Sequence, residues 1–147
     1  MREQGLKFKV SDCVKPCIYL LRKDGEVVYV GSSEKGLLRA LSHIYVDTEK
    51  DFDEVELIDC NSENLTEKET QMIFEYVPKY NKSVPSEAYI SLPNFRQQYC
   101  RGKITNLRLN ELRKLLLFHN LYPKGVIGKI AYYDISELQK VVTKQNE

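Results

Sequence analysis

The sequence has no apolar segment long enough to cross a membrane, and it has few cysteines. One of its longest apolar runs, Cys17 to Leu21, falls far short of the roughly 20 residues that span a bilayer. The amino terminus lacks the apolar core of a secretory signal, so we expect the protein to stay in the compartment where it is made. The 4 cysteines in 147 residues are too sparse for a disulfide scaffold and fit a reducing cytoplasm. These absences predict a cytoplasmic protein that is not secreted.

Length and composition are those of an ordinary globular chain. Hydrophobic residues make up 42% and charged residues 29%, which excludes a wholly disordered or fibrous protein. A chain of 147 residues forms one full domain, or a small domain with an appendage. Cys13 and Cys17 lie four residues apart, but no second Cys or His pair follows at zinc-ligand spacing, so we predict no zinc site.

The charge is unevenly distributed along the chain. Residues 1–81 hold 11 basic and 16 acidic residues, a net charge of −5, whereas the remainder holds 11 basic and 5 acidic residues, a net charge of +6. Asymmetry of this size suggests two functional parts, of which the second meets a polyanion. A solvated basic face without a partner is the alternative.

The amino-terminal part begins with a predicted β-hairpin. Two β-rich runs, 17–23 and 26–31, are joined by Asp24-Gly25, a pair that tolerates the positive φ values of a tight turn. Apolar residues at helical spacing then predict a helix over 37–45.

A third strand and a second helix follow. Val55 and Leu57 alternate with acidic residues, which predicts a strand with one wet face. Thr66 is expected to cap the next helix, which Pro78 ends. The order of elements is therefore ββαβα, and the apolar side of the last helix is expected to comprise Met72, Ile73, Tyr76 and Val77.

The carboxyl-terminal part is predicted to be a small, mainly helical domain. Residues 82–93 contain two prolines and predict a linker between a domain over 1–81 and a domain over 94–147. The second domain is expected to have a helix over 110–120, a strand over 126–133 and a final helix over 136–142 that Asp134 or Ser136 caps. The residues expected to face inward from the first of these helices are Leu112, Leu115, Leu116 and Phe118.

Four residues of the first part could carry chemistry together. Tyr19 and Tyr29 lie on the two arms of the hairpin, where ordinary cross-strand packing also explains them. Arg39 and His43 are four residues apart, so they share a helix face near the mouth of that hairpin. An arginine fork suits a phosphate, and a histidine can orient or exchange a proton. A solvated polar face is the alternative for this second pair.

Glu69 has two interpretations. The run Thr66-Glu-Lys-Glu69 fits a capping box, in which the glutamate reaches back to the cap N–H. Glu69 also lies at the edge of the predicted apolar face, where a carboxylate needs a partner such as a bound divalent cation. The local pattern favours neither interpretation.

The order of these residues resembles the GIY-YIG nuclease family. An arginine follows the glycine of the second motif by eight residues and a histidine follows it by twelve, and the closing signature places a glutamate nine residues before a proline. The resemblance covers roughly residues 16–81, and one position departs from it, because Cys17 stands where the family has glycine. The positions that carry the resemblance are Ile18-Tyr19, Tyr29-Val-Gly31, Arg39, His43, Glu69, Pro78 and Asn81.

The resemblance implies an α/β fold with a small three-stranded antiparallel sheet flanked by helices, and a metal-dependent reaction. Glu69 would be the single protein ligand of Mg²⁺ or Mn²⁺, with water and phosphate at the other coordination positions. Tyr19 would be the general base toward the attacking water, provided that neighbouring cations depress its pKa from about 10.

The resemblance also implies supporting roles for four further residues. Tyr29 would be a positioning partner of Tyr19, and Arg39 would stabilise the charge that grows on the phosphate. His43 would orient Tyr19 or relay its proton. Asn81 would hold the site together from the far end of the helix.

The basic second part is predicted to bind DNA. Basic side chains contact phosphates and release counterions, and the aromatic residues interleaved with them can stack on bases. The run from Leu107 to Leu116 resembles small DNA-binding modules of the helix-extended-helix or winged kind, although a small stabilising subdomain is the alternative. The candidate DNA contacts are Arg101, Lys103, Arg108, Arg113, Lys114, Lys124 and Lys129.

The sequence as a whole predicts a divalent-metal-dependent DNA endonuclease of a homing, restriction or phage DNA-processing type. One alternative is a catalytically silent DNA-binding protein with the same fold. Another is a structural or inhibitory protein that binds an acidic partner through its basic face.

Overall fold

In the computed structural model the chain divides into two compact units, residues 1–81 and residues 82–147. The structure describes residues 3–46, 48–100 and 108–145. The first unit contains a three-stranded antiparallel sheet with flanking helices, as the sequence predicts, and this part of the fold is confirmed. No described helix is long and apolar enough to cross a membrane.

The first sheet is built around the predicted hairpin. It comprises β1 (Cys17–Lys23), β2 (Glu26–Ser33) and β3 (Glu54–Asp59) in the order β2-β1-β3, all antiparallel. Asp24 and Gly25 have φ values of 51° and 86°, the pair of positive angles that a two-residue type I′ turn requires. A one-residue register shift between Leu21 and Arg22 then brings Tyr19 opposite Gly31 across the hairpin.

Helices contact β1 and β2 of this sheet. A short α1 (Val10–Cys13) precedes the sheet, α2 (Leu37–Tyr45) follows the hairpin, and a 3₁₀ turn (Ser62–Asn64) leads into α3 (Leu65–Tyr76). Both α2 and α3 contact β1 and β2. One core cluster consists of Tyr19, Leu21, Val28 and Ala40.

Helix α2 has the predicted bounds but presents a different face to the core. Ala40 and His43 are its buried residues, whereas Leu38 is 58% exposed and Tyr45 is 82% exposed. The apolar periodicity that predicts this helix thus marks its outer face. Its inner face carries a small residue and a histidine, and the histidine is directed at Tyr19.

The start of α3 differs from the predicted capping box. The helix begins at Leu65, so Thr66 lies inside its first turn, and Asn64 occupies the cap position without a side-chain cap hydrogen bond. The preceding 3₁₀ turn takes the chain into the helix instead. Tyr76 and Val77 are exposed rather than inward, because the helix ends there with Val77 in a left-handed conformation at φ 45°.

The second unit is a helical module with its own three-stranded sheet. It contains β4 (Tyr89–Ser91), α4 (Leu92–Phe95) continued by a π-helical segment (Arg96–Cys100), α5 (Leu109–Phe118), β5 (Gly125–Ile127), β6 (Ile130–Asp134) and α6 (Ile135–Gln145). The strand order is β4-β6-β5. The buried cluster comprises Ile90, Leu92, Phe95, Leu112, Leu116, Leu138, Val141 and Val142.

The predicted linker over 82–93 is too long. Residues 89–91 pair with β6 as β4, and Pro93 lies in the first turn of α4, where a missing N–H is tolerated. The predicted strand over 126–133 is two strands, because Gly128 with φ 63° opens a tight turn between β5 and β6.

The helix predictions for the second unit need two corrections. Phe118 is 80% exposed rather than inward, since it lies at the last position of α5, beyond the buried Leu112 and Leu116. Helix α6 runs to residue 145, and of the two proposed caps it is Asp134 that acts. Its Oδ1 accepts the backbone N–H groups of Ser136 (2.8 Å) and Glu137 (3.3 Å).

Candidate active site

The centre of the site is the buried hydroxyl of Tyr19. Only 1% of this side chain is exposed, and its hydroxyl lies 2.9 Å from Nε2 of His43 on α2. The two rings have centroids 5.6 Å apart. A strand residue and a helix residue that are 24 positions apart in the chain are thus joined by one buried hydrogen bond.

Gly31 makes room for this tyrosine. A Cβ atom at residue 31 would overlap the ring and hydroxyl of Tyr19, with Cε2 only 2.7 Å away. The two residues face each other across β1 and β2, so the ring crosses directly over the glycine. The glycine of Tyr29-Val-Gly31 therefore has a steric role that the sequence motif does not state.

We expect Gly31→Ala to destabilise the first unit by roughly 1–3 kcal/mol, the usual cost of forcing an extra methyl group into a packed site. Gly5→Ala is the matched control, since a Cβ there would meet nothing within 4 Å. Urea unfolding of both variants measures the effect. Equal stabilities would show that the Tyr19 ring can move aside at little cost.

Tyr29 completes an aromatic cluster with the buried pair. Its ring centroid is 6.1 Å from that of Tyr19 and 5.2 Å from that of His43, and it meets the histidine ring edge to face. Nζ of Lys50 lies 4.7 Å from the Tyr29 centroid, within cation–π distance. Lys50 comes from an acidic loop that gives no sequence signal, so sequence reasoning missed it.

Arg39 lies on the exposed side of α2, close to this cluster. Its Nη1 donates to Oγ of Ser42 (3.1 Å), and that hydroxyl donates to the backbone carbonyl of Arg39 (2.6 Å). The positive charge of Arg39 lowers the pKa of Tyr19, which places the guanidinium within electrostatic range of the hydroxyl. An exposed guanidinium at this position is available to an incoming phosphate.

The pKa of Tyr19 is nevertheless raised above 10. Burial is the largest cause, the neighbouring Tyr29 adds to it, and the opposing effect of Arg39 is smaller. The sequence-based role of Tyr19 as a base requires cations to depress this pKa. The effect of Arg39 is too small to depress it. The group placed to accept the phenol proton is Nε2 of His43, the hydrogen-bond partner of Tyr19.

This raised pKa predicts a difference in alkaline stability. The unfolded chain ionises Tyr19 near pH 10, whereas the folded chain holds the proton to higher pH, so stability falls as the pH rises above about 10. Tyr19→Phe is expected to lose less free energy of unfolding than the wild type over that range. Tyr45→Phe, at an exposed position, is the control and should follow the wild type in urea unfolding at several pH values. Parallel curves for Tyr19→Phe and the wild type would contradict the assignment.

Glu69 on α3 is held by a residue of β2. Oγ of Ser32 donates to its Oε2 at 3.0 Å, so the glutamate does not reach back to a helix cap. Burial raises the pKa of Glu69, and the Ser32 hydrogen bond opposes that effect. Sequence reasoning missed Ser32, although this residue directly follows the Tyr29-Val-Gly31 motif and therefore lies beside the other candidate residues.

The carboxylate of Glu69 fits the role of a lone metal ligand. No hydrogen bond from the described residues reaches its Oε1, which leaves that oxygen available. The part of the chain that the structure describes contains no group of three or more His, Cys, Asp or Glu side chains that could hold a metal ion. Mg²⁺ does not need such a cage, since it keeps several waters and binds through one or two carboxylates plus substrate phosphate.

Asn81 fixes the edge of the sheet next to the site. Its Oδ1 accepts the backbone N–H of Val30 and its Nδ2 donates to the Val30 carbonyl, both at 2.9 Å. The backbone N–H of Tyr80 donates to the Val28 carbonyl (3.0 Å). β2 is an edge strand, and the segment with Tyr80 and Asn81 hydrogen-bonds to its free edge as a further strand would. These bonds fix the part of β2 that contains Tyr29 and Gly31.

Cys17, the departure from the family pattern, is accommodated within the sheet. It is buried in β1 and paired with Ser33 on one side and Asp59 on the other. Burial raises the pKa of its thiol, which favours the uncharged form. The small side chain therefore behaves as a core residue.

The structure divides the candidate DNA contacts of the second unit. Arg108, Arg113, Lys114 and Lys129 are exposed, whereas Nζ of Lys124 is paired with Glu137 at 3.1 Å. Arg101 and Lys103 lie outside the described residues. Arg113 and Lys129 line one cleft together.

No protein-family model and no curated protein matches the sequence. Among solved structures, the chain is similar to the GIY-YIG N-terminal endonuclease domain of UvrC from Thermotoga maritima bound to magnesium, at 27% identity, with 48% of this chain and 86% of that chain covered and a TM-score of 0.43. A point mutant of the same domain bound to its catalytic divalent cation matches at 27% identity, over 48% of this chain and 86% of that chain, with a TM-score of 0.42.

Proposed function

We propose that this protein is a divalent-metal-dependent DNA endonuclease that hydrolyses phosphodiester bonds. The observation that carries the proposal is the buried Tyr19–His43 hydrogen bond, which lies beside the exposed Arg39 and within electrostatic range of Glu69. A proton-transfer pair, a guanidinium and a carboxylate are the groups that phosphodiester hydrolysis needs at one place. The second unit supplies contacts to the DNA in this proposal.

Tyr19 and His43 act as one base. A phenol with a raised pKa is protonated at neutral pH, so it takes a proton from the attacking water only if it passes its own proton on. Nε2 of His43, at 2.9 Å, is the acceptor when the imidazole carries its proton on Nδ1. Tyr29 is partly exposed, and its ring packs against the rings of both Tyr19 and His43.

Glu69 holds the cation, and Ser32 orients Glu69. The hydrogen bond at Oε2 fixes the carboxylate, so that Oε1 can face a hydrated Mg²⁺ or Mn²⁺. A divalent cation held by Glu69 would supply charge stabilisation to the scissile phosphate and the leaving oxygen.

Arg39 stabilises charge that develops on the phosphate, so its loss affects rate more than affinity. We expect Arg39→Ala to slow single-turnover cleavage about a hundredfold, by analogy with the loss of one oxyanion donor, while DNA affinity stays nearly unchanged. Lys35→Ala, which removes an exposed cation just before α2, is the control for general electrostatics. A loss confined to affinity would make Arg39 an ordinary phosphate contact.

The proposal as a whole is tested on supercoiled plasmid with the purified full-length protein. We expect nicked or linear product with Mg²⁺ or Mn²⁺, and none when a chelator is present. Salt-dependent DNA binding without cleavage on varied DNA substrates would favour the catalytically silent binder. Absence of salt-dependent binding would favour a structural or inhibitory protein.

A further inference from the structure

The second unit contains an open cleft of about 430 Å³, with walls from α4, α5 and the β5–β6 hairpin. This volume lies within the roughly 300–1,000 Å³ range of small-ligand sites. Apolar and aromatic side chains form much of the lining, and two cations and an amide lie among them. The residues that matter for its chemistry are Pro93, Asn94, Arg113, Lys129, Ala131 and Tyr133.

The cleft contains two cations, Arg113 of α5 and Lys129 of the β5–β6 turn. Among the described residues, neither Arg113 nor Lys129 forms an ion pair with a carboxylate, and Arg113 donates only to Oδ1 of Asn110 (3.4 Å). Lys124 differs, because its charge is neutralised by Glu137. The cleft is therefore a site of concentrated positive charge, which favours an anionic ligand.

An apolar lining beside two cations suits a nucleotide that is not base-paired. A duplex presents its phosphates on a convex surface and hides its base faces, so it would contact the cations and leave the apolar walls empty. An unpaired nucleotide offers both a phosphate and a flat apolar base that stacks on an aromatic ring. Tyr133 is partly buried against the core and is thus a rigid platform for such stacking.

We propose that this cleft binds an unpaired nucleotide of DNA, with its phosphate at Arg113 and Lys129 and its base against Tyr133 and Pro93. The proposal rests on the proposed function in so far as the ligand is DNA. It adds a substrate class, namely duplex DNA that carries a single-stranded tail or gap.

The test compares binding of the full-length protein to a blunt duplex and to the same duplex with a short single-stranded tail. Fluorescence anisotropy in a chelator measures affinity without cleavage. We expect the tailed DNA to bind about tenfold more tightly, the effect of roughly one stacked base. A 2-aminopurine in the tail should change its fluorescence on binding.

Two double variants separate the cleft from general electrostatics. Arg113→Ala with Lys129→Ala should abolish the preference for the tail and lower the salt slope by about one for each phosphate that is no longer neutralised. Arg108→Ala with Lys114→Ala removes the same charge from exposed positions outside the cleft, and it should weaken both DNAs alike while the preference remains.

Several results would overturn the cleft assignment. Equal affinity for the two DNAs, a preference that the control pair also abolishes, or equally effective competition by polyglutamate would each do so. The two proposals fail separately. A tail preference in a protein that cuts neither plasmid nor tailed duplex with Mg²⁺ or Mn²⁺ would remove the nuclease and keep the cleft, and DNA cleavage without a tail preference would do the reverse.

Discussion

Glu69→Gln is expected to give a folded, DNA-binding protein that cleaves at least about a thousandfold more slowly than the wild type. Loss of metal-assisted charge stabilisation raises the activation free energy by several kcal/mol, which corresponds to a factor of this size. Glutamine keeps the length of the side chain, and its carbonyl oxygen can still accept the hydroxyl of Ser32. What it lacks is the negative oxygen that a hard divalent cation requires.

Stability should move in the opposite direction to activity in this variant. Burial disfavours the charged form of Glu69, so a neutral side chain of the same shape is expected to leave the melting temperature without metal unchanged or higher. Glu67→Gln is the matched control on the exposed side of α3, and it should cleave normally. Retained cleavage by Glu69→Gln at ordinary metal concentration would remove Glu69 from the active site.

Tyr19→Phe is expected to reduce the cleavage rate by a factor of about 10² to 10⁴, the range that general acid–base catalysis contributes. The variant loses one hydroxyl and keeps the ring that packs beside Gly31, so fold and DNA affinity should persist. The hydrogen bond to His43 is lost at the same time, which removes the path by which the phenol proton leaves.

Single-turnover rates of Tyr19→Phe, Tyr29→Phe and Tyr45→Phe give the necessary comparison. Tyr29→Phe should cost less than Tyr19→Phe, because the ring of Tyr29 packs edge to face beside His43 and keeps that packing without its hydroxyl. Tyr45→Phe, at an exposed position, should be neutral. A larger loss for Tyr29 than for Tyr19 would reverse the assignment of the base.

The first unit could be predicted largely from local signals. Asp24-Gly25 demands a specific turn, which predicts the hairpin. The pairing of Tyr19 with Gly31 also depends on a register shift between Leu21 and Arg22, which has no signal in the sequence. The bounds of α2 follow from apolar spacing, but the spacing does not reveal which side is covered. The buried side of α2 carries Ala40 and His43, and His43 lies at hydrogen-bond distance from Tyr19 there.

The parts that could not be predicted depend on contacts between distant segments. Thr66 and Glu69 match a capping box in sequence, yet Ser32 of β2, 37 positions from Glu69 in the chain, takes that carboxylate instead. Residues 89–91 look like linker because prolines flank them, and only pairing with β6 makes them a strand. The same limit applies to Lys124, whose charge is cancelled by Glu137 on α6.

In the proposed function Tyr19 and Glu69 serve one catalytic site, and the cleavage rate of the Tyr19→Phe/Glu69→Gln double variant measures whether they do. Residues that act as a unit lose activity in a strongly non-additive way. If the two residues share one site, the double variant is expected to cleave about as slowly as the slower of the two single variants. Losses that multiply in the double variant would show that the two residues act independently and would contradict a single site.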